Sequence, residues 1–156
     1  MQKLTPCFWF DTEGEDAAKF YTSIFPNSRI THVSHYGEAG PRDAGSVLTV
    51  EFELEGQAFT ALNGGPEYKF SEAISFQVSC ADQAEVDRYW DALGDGGEHG
   101  PCGWLKDRFG VSWQIVPKRL VELLEDPDRE KSNRVMAAML TMGKIEIDEL
   151  ERAAAA

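Results

Sequence analysis

The residues of this chain that could do chemistry are few and mostly isolated. His32 and His35 are three positions apart on a predicted strand, so we expect their side chains to point to opposite faces. His99 lies in a glycine-rich turn. The three cysteines form no CxxC pair, and neither a disulfide framework nor a zinc site is indicated. A metal site that combines His32 or His35 with Glu51 is an open alternative.

Three further side chains are candidates by type alone. Glu51 and Glu53 could act as bases if they face the cleft, although a solvated strand face is the simpler interpretation. Cys102 has no histidine near it in the sequence, so a structural thiol is favoured over a nucleophile.

The elements that must position these residues occur in two copies, and the apolar residues of the two predicted helices match at an offset of 69 residues. A strand-like run precedes the helix in each copy, at residues 4–11 and 73–80. Each helix begins with a predicted capping pair: Thr12 with Glu15, and Asp82 with Glu85.

Three further strands follow each helix, so each half is predicted to be a β-α-β-β-β module. Their positions are 28–36, 46–55 and 57–63 in the first half, and 97–99, 101–106 and 111–116 in the second. Such a module is an open, curved sheet with a helix on one face, and its other face and free edge need a partner. The predicted fold class is therefore α+β, with two tandem βαβββ modules that form an open curved-sheet cleft, followed by C-terminal helices.

The predicted organisation has three parts within one compact domain: a first module at 1–66, a second at 67–117, and a helical extension at 118–152. Asp126 is the expected N-cap of a helix that begins at Pro127. An apolar stripe from Val135 to Gly143 is expected to pack on the strands or on another subunit, and a Met-rich ligand groove is the alternative. The run Ala153–Ala156 is expected to be a frayed tail.

Charge and hydropathy exclude several classes of partner. The chain has 156 residues, with 15 Lys and Arg against 27 Asp and Glu, and a net charge of −12. This balance argues against binding to nucleic acid and to anionic membranes, since both need clustered cations. No apolar run approaches the ~18 residues of a membrane span, and the start lacks the features of a signal peptide. We expect a reduced, cytoplasmic protein.

Four segments carry a resemblance to a known superfamily: TPCFWFD–EDAAKFYTSIFPNS, GSVLTVEFELEGQAFTALNGGP, EAISFQVSC–EVDRYWDALGDGG and GPCGWLKDRFGVSWQIVP. With the tandem modules, they resemble the vicinal oxygen chelate superfamily, which includes glyoxalase I, extradiol dioxygenases, and fosfomycin and bleomycin resistance proteins. The match is closer to the PhnB-like branch, often labelled 3-demethylubiquinone-9 3-methyltransferase domain. It covers roughly residues 3–143 and implies the fold more strongly than the reaction.

The resemblance implies four metal-ligand positions, one on the first and one on the last strand of each module. Mapped onto this chain, they hold Pro6, Thr60, Ser75 and Gln114. A slip of one residue would replace Pro6 with Cys7 or Thr5. Neutral hydroxyls and an amide are poor ligands for a divalent ion, so we expect no metal and no cofactor.

A methyltransferase site of the Rossmann type needs a glycine-rich turn between a parallel strand and a helix. Residues 63–66 lead into a loop, and residues 94–97 follow a helix. Neither stretch is the fingerprint of a cofactor site.

The same positions predict a small-molecule pocket. The expected ligand contacts are the polar residues Gln114, Gln77, Ser75 and Thr60, with Phe8, Phe10 and Trp104 as walls. Strand alternation adds Leu62, Ser79 and Ser112 to this face. An equally weighted alternative is that Gln77 and Gln114 satisfy each other or a buried water.

The leading hypothesis is metal-independent binding of a small organic molecule by a homodimer. The alternatives are an enzyme of the glyoxalase or dioxygenase type with a relocated metal, the methyltransferase for which the relatives are named, or a protein retained for assembly through its helical tail.

Overall fold

The computed structural model describes residues 2–156. The chain divides into two compact units, Met1–Phe70 and Ser71–Ala156. The elements of the first are β1 (Cys7–Phe10), α1 (Gly14–Ile24), β2 (Arg29–His35), β3 (Val47–Leu54) and β4 (Gln57–Asn63). They form one sheet of order β1-β4-β3-β2, in which β1 is parallel to β4 and the other neighbours are antiparallel.

The alternation of β3 places one face of this sheet against α1. Val50 and Phe52 are fully buried, whereas Glu51 between them is exposed. Burying a side chain of this size contributes roughly 1.5–3 kcal/mol, so β3 is a main source of the unit's stability. Gly56 has a φ of 78° in the tight β3–β4 turn, a conformation that favours glycine.

The start of α1 differs from the predicted capping pair of Thr12 and Glu15. The N-cap is Glu13, and its carboxylate accepts the backbone N–H of Thr12 at 2.6 Å. The N–H of Gly14 donates instead to Oδ1 of Asn63, at 2.8 Å. A side chain at the end of β4 therefore satisfies the helix N-terminus, which a local motif search does not find.

The second unit repeats the topology and adds three helices. Its elements are β5 (Ser75–Cys80), α2 (Gln83–Gly94), β6 (Glu98–His99), β7 (Trp104–Lys106), β8 (Ser112–Pro117), α3 (Lys118–Leu124), α4 (Arg129–Met139) and α5 (Ile147–Ala155). The sheet order is β5-β8-β7-β6, with β5 parallel to β8. The predicted fold class of two βαβββ modules with C-terminal helices is confirmed.

The predicted capping pair of α2 is also confirmed. Asp82 is the N-cap, and its Oδ1 accepts the N–H of Glu85 at 2.9 Å. The Glu85 carboxylate accepts the N–H of Ala81 at 2.7 Å. The Asp82 side chain thus caps the first turn as predicted, whereas the Glu85 carboxylate reaches back to the residue before the N-cap and not to the N–H of Asp82 itself.

A buried carboxylate organises the turn between β7 and β8. Asp107 is 3% exposed, and its Oδ1 accepts the N–H groups of Phe109 and Val111 at 2.8 and 3.1 Å. Its Oδ2 accepts the indole N–H of Trp113 at 2.9 Å. These bonds tie the turn to β8 and so help to set the register of the hairpin.

The C-terminal helices enclose a small apolar cluster of their own. Val135, Leu123 and Leu150, one from each helix, are each at most 1% exposed and lie in this cluster. The predicted apolar stripe therefore packs partly on neighbouring helices, whereas Met136 and Leu140 are 40% and 62% exposed.

Two predicted helix ends are wrong. The N-cap of α4 is Asp128, whose side chain accepts the N–H of Lys131, and not Asp126. The predicted frayed tail is helical, because α5 continues to Ala155. The guanidinium of Arg134 donates to the carbonyls of residues 153 and 154 at 2.9 and 2.8 Å and so holds the end of α5 on α4. No helix in residues 2–156 has the length and apolar character needed to span a membrane.

Candidate functional site

The two faces of the first sheet are assigned by the pairing of β1 with β4. Cys7 pairs with Thr60, so these two side chains share a face. Phe8 and Phe10 point the other way and are 4% and 3% exposed. The ring centroid of Phe8 lies 6.1 Å from that of Tyr21 in α1, which shows that this is the helix-covered face.

The prediction that Phe8 and Phe10 form walls of the pocket is therefore wrong. It placed Pro6 on the face of Thr60, whereas Cys7 is the residue in register. A slip of one residue exchanges the two faces of a strand, so the error moved both aromatic rings from the core to the open face.

A mixed row of side chains crosses the open face of the first sheet. Cys7, Thr60, Glu51 and His32 follow one another in register from β1 to β2. Thr60 and Glu51 line a cavity of about 270 Å³ on this face. Desolvation raises the pKa of the Cys7 thiol, so this thiol is neutral near pH 7.

The pairing of β2 is irregular at two places, between Ile30 and His32 and between Ser34 and His35. As a result, His32 pairs with Glu51 and His35 with Val47, which lie on the same face of β3. The prediction that the two histidines point to opposite faces assumed regular alternation, and these irregularities remove its basis.

The open face of the second sheet carries two rows of side chains. One row is Ser75, Ser112 and Lys106, and the other is Gln77, Gln114 and Trp104. The alternate residues of β7 and β8, among them Leu105, Trp113 and Ile115, are at most 2% exposed and face α2. The predicted contacts Gln114, Gln77, Ser75 and Trp104 therefore share one face, together with Ser79 and Ser112.

The two glutamines are not simply paired with each other. Nε2 of Gln114 donates to Oγ of Ser75 at 2.9 Å, and Gln77 beside it is exposed. This bond holds Gln114 across the face and leaves its Oε1 and its second N–H available to a ligand.

The pairings also correct the four predicted metal-ligand positions. Thr60 and Gln114 lie four residues after their hairpin glycines, and their partners on the first strands are Cys7 and Gln77, not Pro6 and Ser75. The count back from the helix puts Pro6 one residue before Cys7. The helix offset of 69 then puts Ser75 two residues before Gln77, because the first module has one residue more between its first strand and its helix.

Neither corrected pair of positions fits a divalent ion. The first sheet offers a thiol and a hydroxyl and the second offers two amides, and neither pair contains a carboxylate or an imidazole. Within residues 2–156, no three His, Cys, Asp or Glu side chains come together as a possible metal site. The residues present thus disagree with the metal that the superfamily resemblance implies.

A second cavity, of about 130 Å³, lies at the β6–β7 edge of the second sheet. Trp104 and Ser112 line it, and Lys106 stands at its side in an ion pair with Glu72. The hydrogen bond from Lys106 lowers the pKa of Glu72 and raises that of Lys106, so both stay charged near neutral pH. Sequence reasoning missed Lys106, although its alternation with Trp104 on a predicted strand was the signal that could have found it.

These sheets and their topology define the class of protein: two βαβββ modules in tandem, a fold of the vicinal oxygen chelate type. Residues 2–116 match the family model described as 3-demethylubiquinone-9 3-methyltransferase, and the chain belongs to this family.

Solved structures agree with this assignment. The PhnB protein of Bacillus cereus, described as a putative 3-demethylubiquinone-9 3-methyltransferase, is 34% identical with a TM-score of 0.67, over 74% of this chain and 99% of that one. Protein PA1353 of Pseudomonas aeruginosa is 19% identical with a TM-score of 0.62, over 75% and 98% of the two chains. The fosfomycin resistance protein FosX of Mesorhizobium loti is 16% identical with a TM-score of 0.57, over 81% and 100%. The last two show the fold alone, and no curated protein matches the chain.

Proposed function

We propose that this protein binds a small organic molecule on the open face of its second sheet, without a resident metal ion. The observation that carries the proposal is the row of Gln77, Gln114 and Trp104, which combines neutral hydrogen-bonding groups with an aromatic surface. Binding sites for small molecules commonly combine apolar walls with a few oriented polar groups.

Each proposed contact has a physical role. Gln114, held by Ser75, presents an amide in one orientation, so little side-chain entropy is lost when a ligand binds it. Gln77 adds a second amide, and Trp104 offers a ring surface. Thr60 stays a separate candidate contact, in the cavity on the open face of the first sheet.

A thermal-shift screen of aromatic and polar small molecules against protein dialysed with a chelator tests this function. For a compound that binds, Gln114→Ala should weaken affinity about threefold to tenfold, the value of a neutral hydrogen bond. Gln57→Ala is the matched control, since Gln57 is an exposed glutamine in the β3–β4 hairpin. Equal affinity of Gln114→Ala and wild type for every hit, or hits that all require added metal, would refute the proposal.

An enzyme with a relocated metal is the second candidate. The observation that favours it is the pairing of His32 with Glu51 on the face that also carries Thr60. A single Zn²⁺ or Mn²⁺ that is retained after dialysis and lost in His32→Ala would support this candidate over metal-free binding.

A methyltransferase, the activity for which the family and the Bacillus cereus protein are named, is the third candidate. Against it, residues 64–74 after β4 contain no helix, so the glycine-rich stretch there does not join a parallel strand to a helix. Calorimetry with S-adenosylmethionine tests this candidate, and a dissociation constant in the micromolar range would support it.

We also propose a cytoplasmic homodimer. The exposed Met136 and Leu140 leave part of the α4 stripe uncovered and available to a second copy. Light scattering should give twice the mass of the chain, and Leu140→Glu should lower it to one chain if this stripe is the interface.

A further inference from the structure

One residue that lines the 130 Å³ cavity of the second unit has a buried polar atom without a partner. This residue, Ser112, is 1% exposed. Among the residues that the structure describes, no hydrogen bond reaches its Oγ. Buried polar atoms are satisfied in the great majority of cases, so an unpaired hydroxyl beside a cavity indicates a missing hydrogen-bonding partner.

The size and walls of the cavity restrict that partner. An engineered cavity of 150 Å³ holds one benzene ring, so a volume of about 130 Å³ accommodates a single ring. Trp104, Pro101 and Leu105 provide apolar wall, and the indole of Trp104 can pack against another aromatic ring.

The charges at the rim restrict it further. Lys106 is paired with Glu72, and Glu98 is its partner across the β6–β7 pair. Two carboxylates against one ammonium leave a negative balance, which disfavours an anionic ligand. A neutral ring with one hydrogen-bonding oxygen fits the size, the wall and the charge together.

We propose that this cavity binds a phenol-like group, with its hydroxyl hydrogen-bonded to Ser112 and its ring against Trp104. The inference rests on the proposed function, since it names a class of molecule for the open face of the second sheet.

A titration of ¹⁵N-labelled protein with phenol, toluene and benzoate, followed by NMR, tests the proposal. Toluene replaces the hydroxyl with a methyl group, and benzoate adds a negative charge. Phenol should shift the amide resonances of residues 104–106 and 112 and saturate. Toluene should bind about threefold to tenfold more weakly because it leaves Ser112 unpaired, and benzoate should also bind more weakly than phenol.

Two variants locate the hydrogen bond. Ser112→Ala should bind phenol about threefold to tenfold more weakly and bring the phenol-to-toluene ratio close to one. It should fold, because no hydrogen bond within residues 2–156 is lost, and Ser112→Cys of similar volume provides a second test. Ser79→Ala is the matched control, since this exposed serine shares the face but lies outside the cavity.

Equal binding of phenol and toluene, or an unchanged ratio in Ser112→Ala, would overturn the inference. If phenol shifts the resonances of Gln77 and Gln114 equally in wild type and Ser112→Ala, the inference fails and the proposed function stands. If no compound of the wider screen binds the second sheet, both fail.

Discussion

The β7–β8 turn offers a sharp test of how this fold positions its open face. Asp107→Asn changes one oxygen to an amide group and keeps the volume. The remaining oxygen can still accept the N–H groups of Phe109 and Val111, but the new amide then faces the indole N–H of Trp113, and two donors meet. If the amide group is rotated by 180°, its NH₂ instead faces the N–H groups of Phe109 and Val111, and donors meet there.

The cost follows from these three bonds. A buried donor without an acceptor costs about 1–3 kcal/mol, and the two remaining bonds each lose roughly 1 kcal/mol when their acceptor becomes neutral. We therefore expect Asp107→Asn to lower the free energy of unfolding by about 3–5 kcal/mol. For a chain of this length, Tm should fall by roughly 6–20 °C.

Urea denaturation followed by circular dichroism measures this loss, and a double-mutant cycle assigns it. Trp113→Phe removes the indole donor, so the cost of Asp107→Asn should be about 1–2 kcal/mol smaller in that background. Burying a carboxylate is itself costly, so removing it could be neutral if its bonds contribute little. An Asp107→Asn protein as stable as wild type would refute the reasoning, and so would a cycle without coupling.

Three further predictions concern the second unit. Gln77→His combined with Gln114→His places two imidazoles in register on one face of the second sheet. Zn²⁺ at one hundred times its dissociation constant should then stabilise the folded variant by about 2.7 kcal/mol, measured in a thermal scan. The Tm of wild type should not change when Zn²⁺ is added. Burial, and secondarily the Glu85 carboxylate, raises the pKa of Cys80 to about 11. The unfolded thiol ionises first as the pH rises, so the free energy of unfolding should fall between pH 9 and 11, by at most about 3 kcal/mol. Urea titrations measure this fall, and Cys80→Ala should abolish it. Arg134→Ala removes two hydrogen bonds to carbonyls in the last turn of α5 and should lower the free energy of unfolding by about 1–3 kcal/mol. The amide hydrogens of α5 should exchange faster in Arg134→Ala than they do in Arg134→Lys.

The architecture was predictable because its signals are local and repeated. The alternation of β3, the Asp82 cap and the matching apolar positions of α1 and α2 each follow from short-range rules, and together they define two modules. The predicted face for Gln77, Gln114, Ser75 and Trp104 follows from the same alternation once the strands are placed.

The rest depends on contacts that the sequence does not encode locally. The cap of α1 comes from Asn63, 49 residues away from Gly14, and no motif around Thr12 signals it. The orientation of Phe8 depends on the register between β1 and β4, which a count from the helix misses by one residue. The unpaired hydroxyl of Ser112 becomes visible only when three strands and a cavity are in place.

Elemental analysis of the native protein, purified without added metal and dialysed against chelator-free buffer, tests the central claim most directly. We expect well below one metal ion per chain, together with small-molecule binding that added Zn²⁺, Mn²⁺, Ni²⁺ or Fe²⁺ does not improve. One equivalent of a divalent metal, retained through dialysis and required for ligand binding, would contradict it.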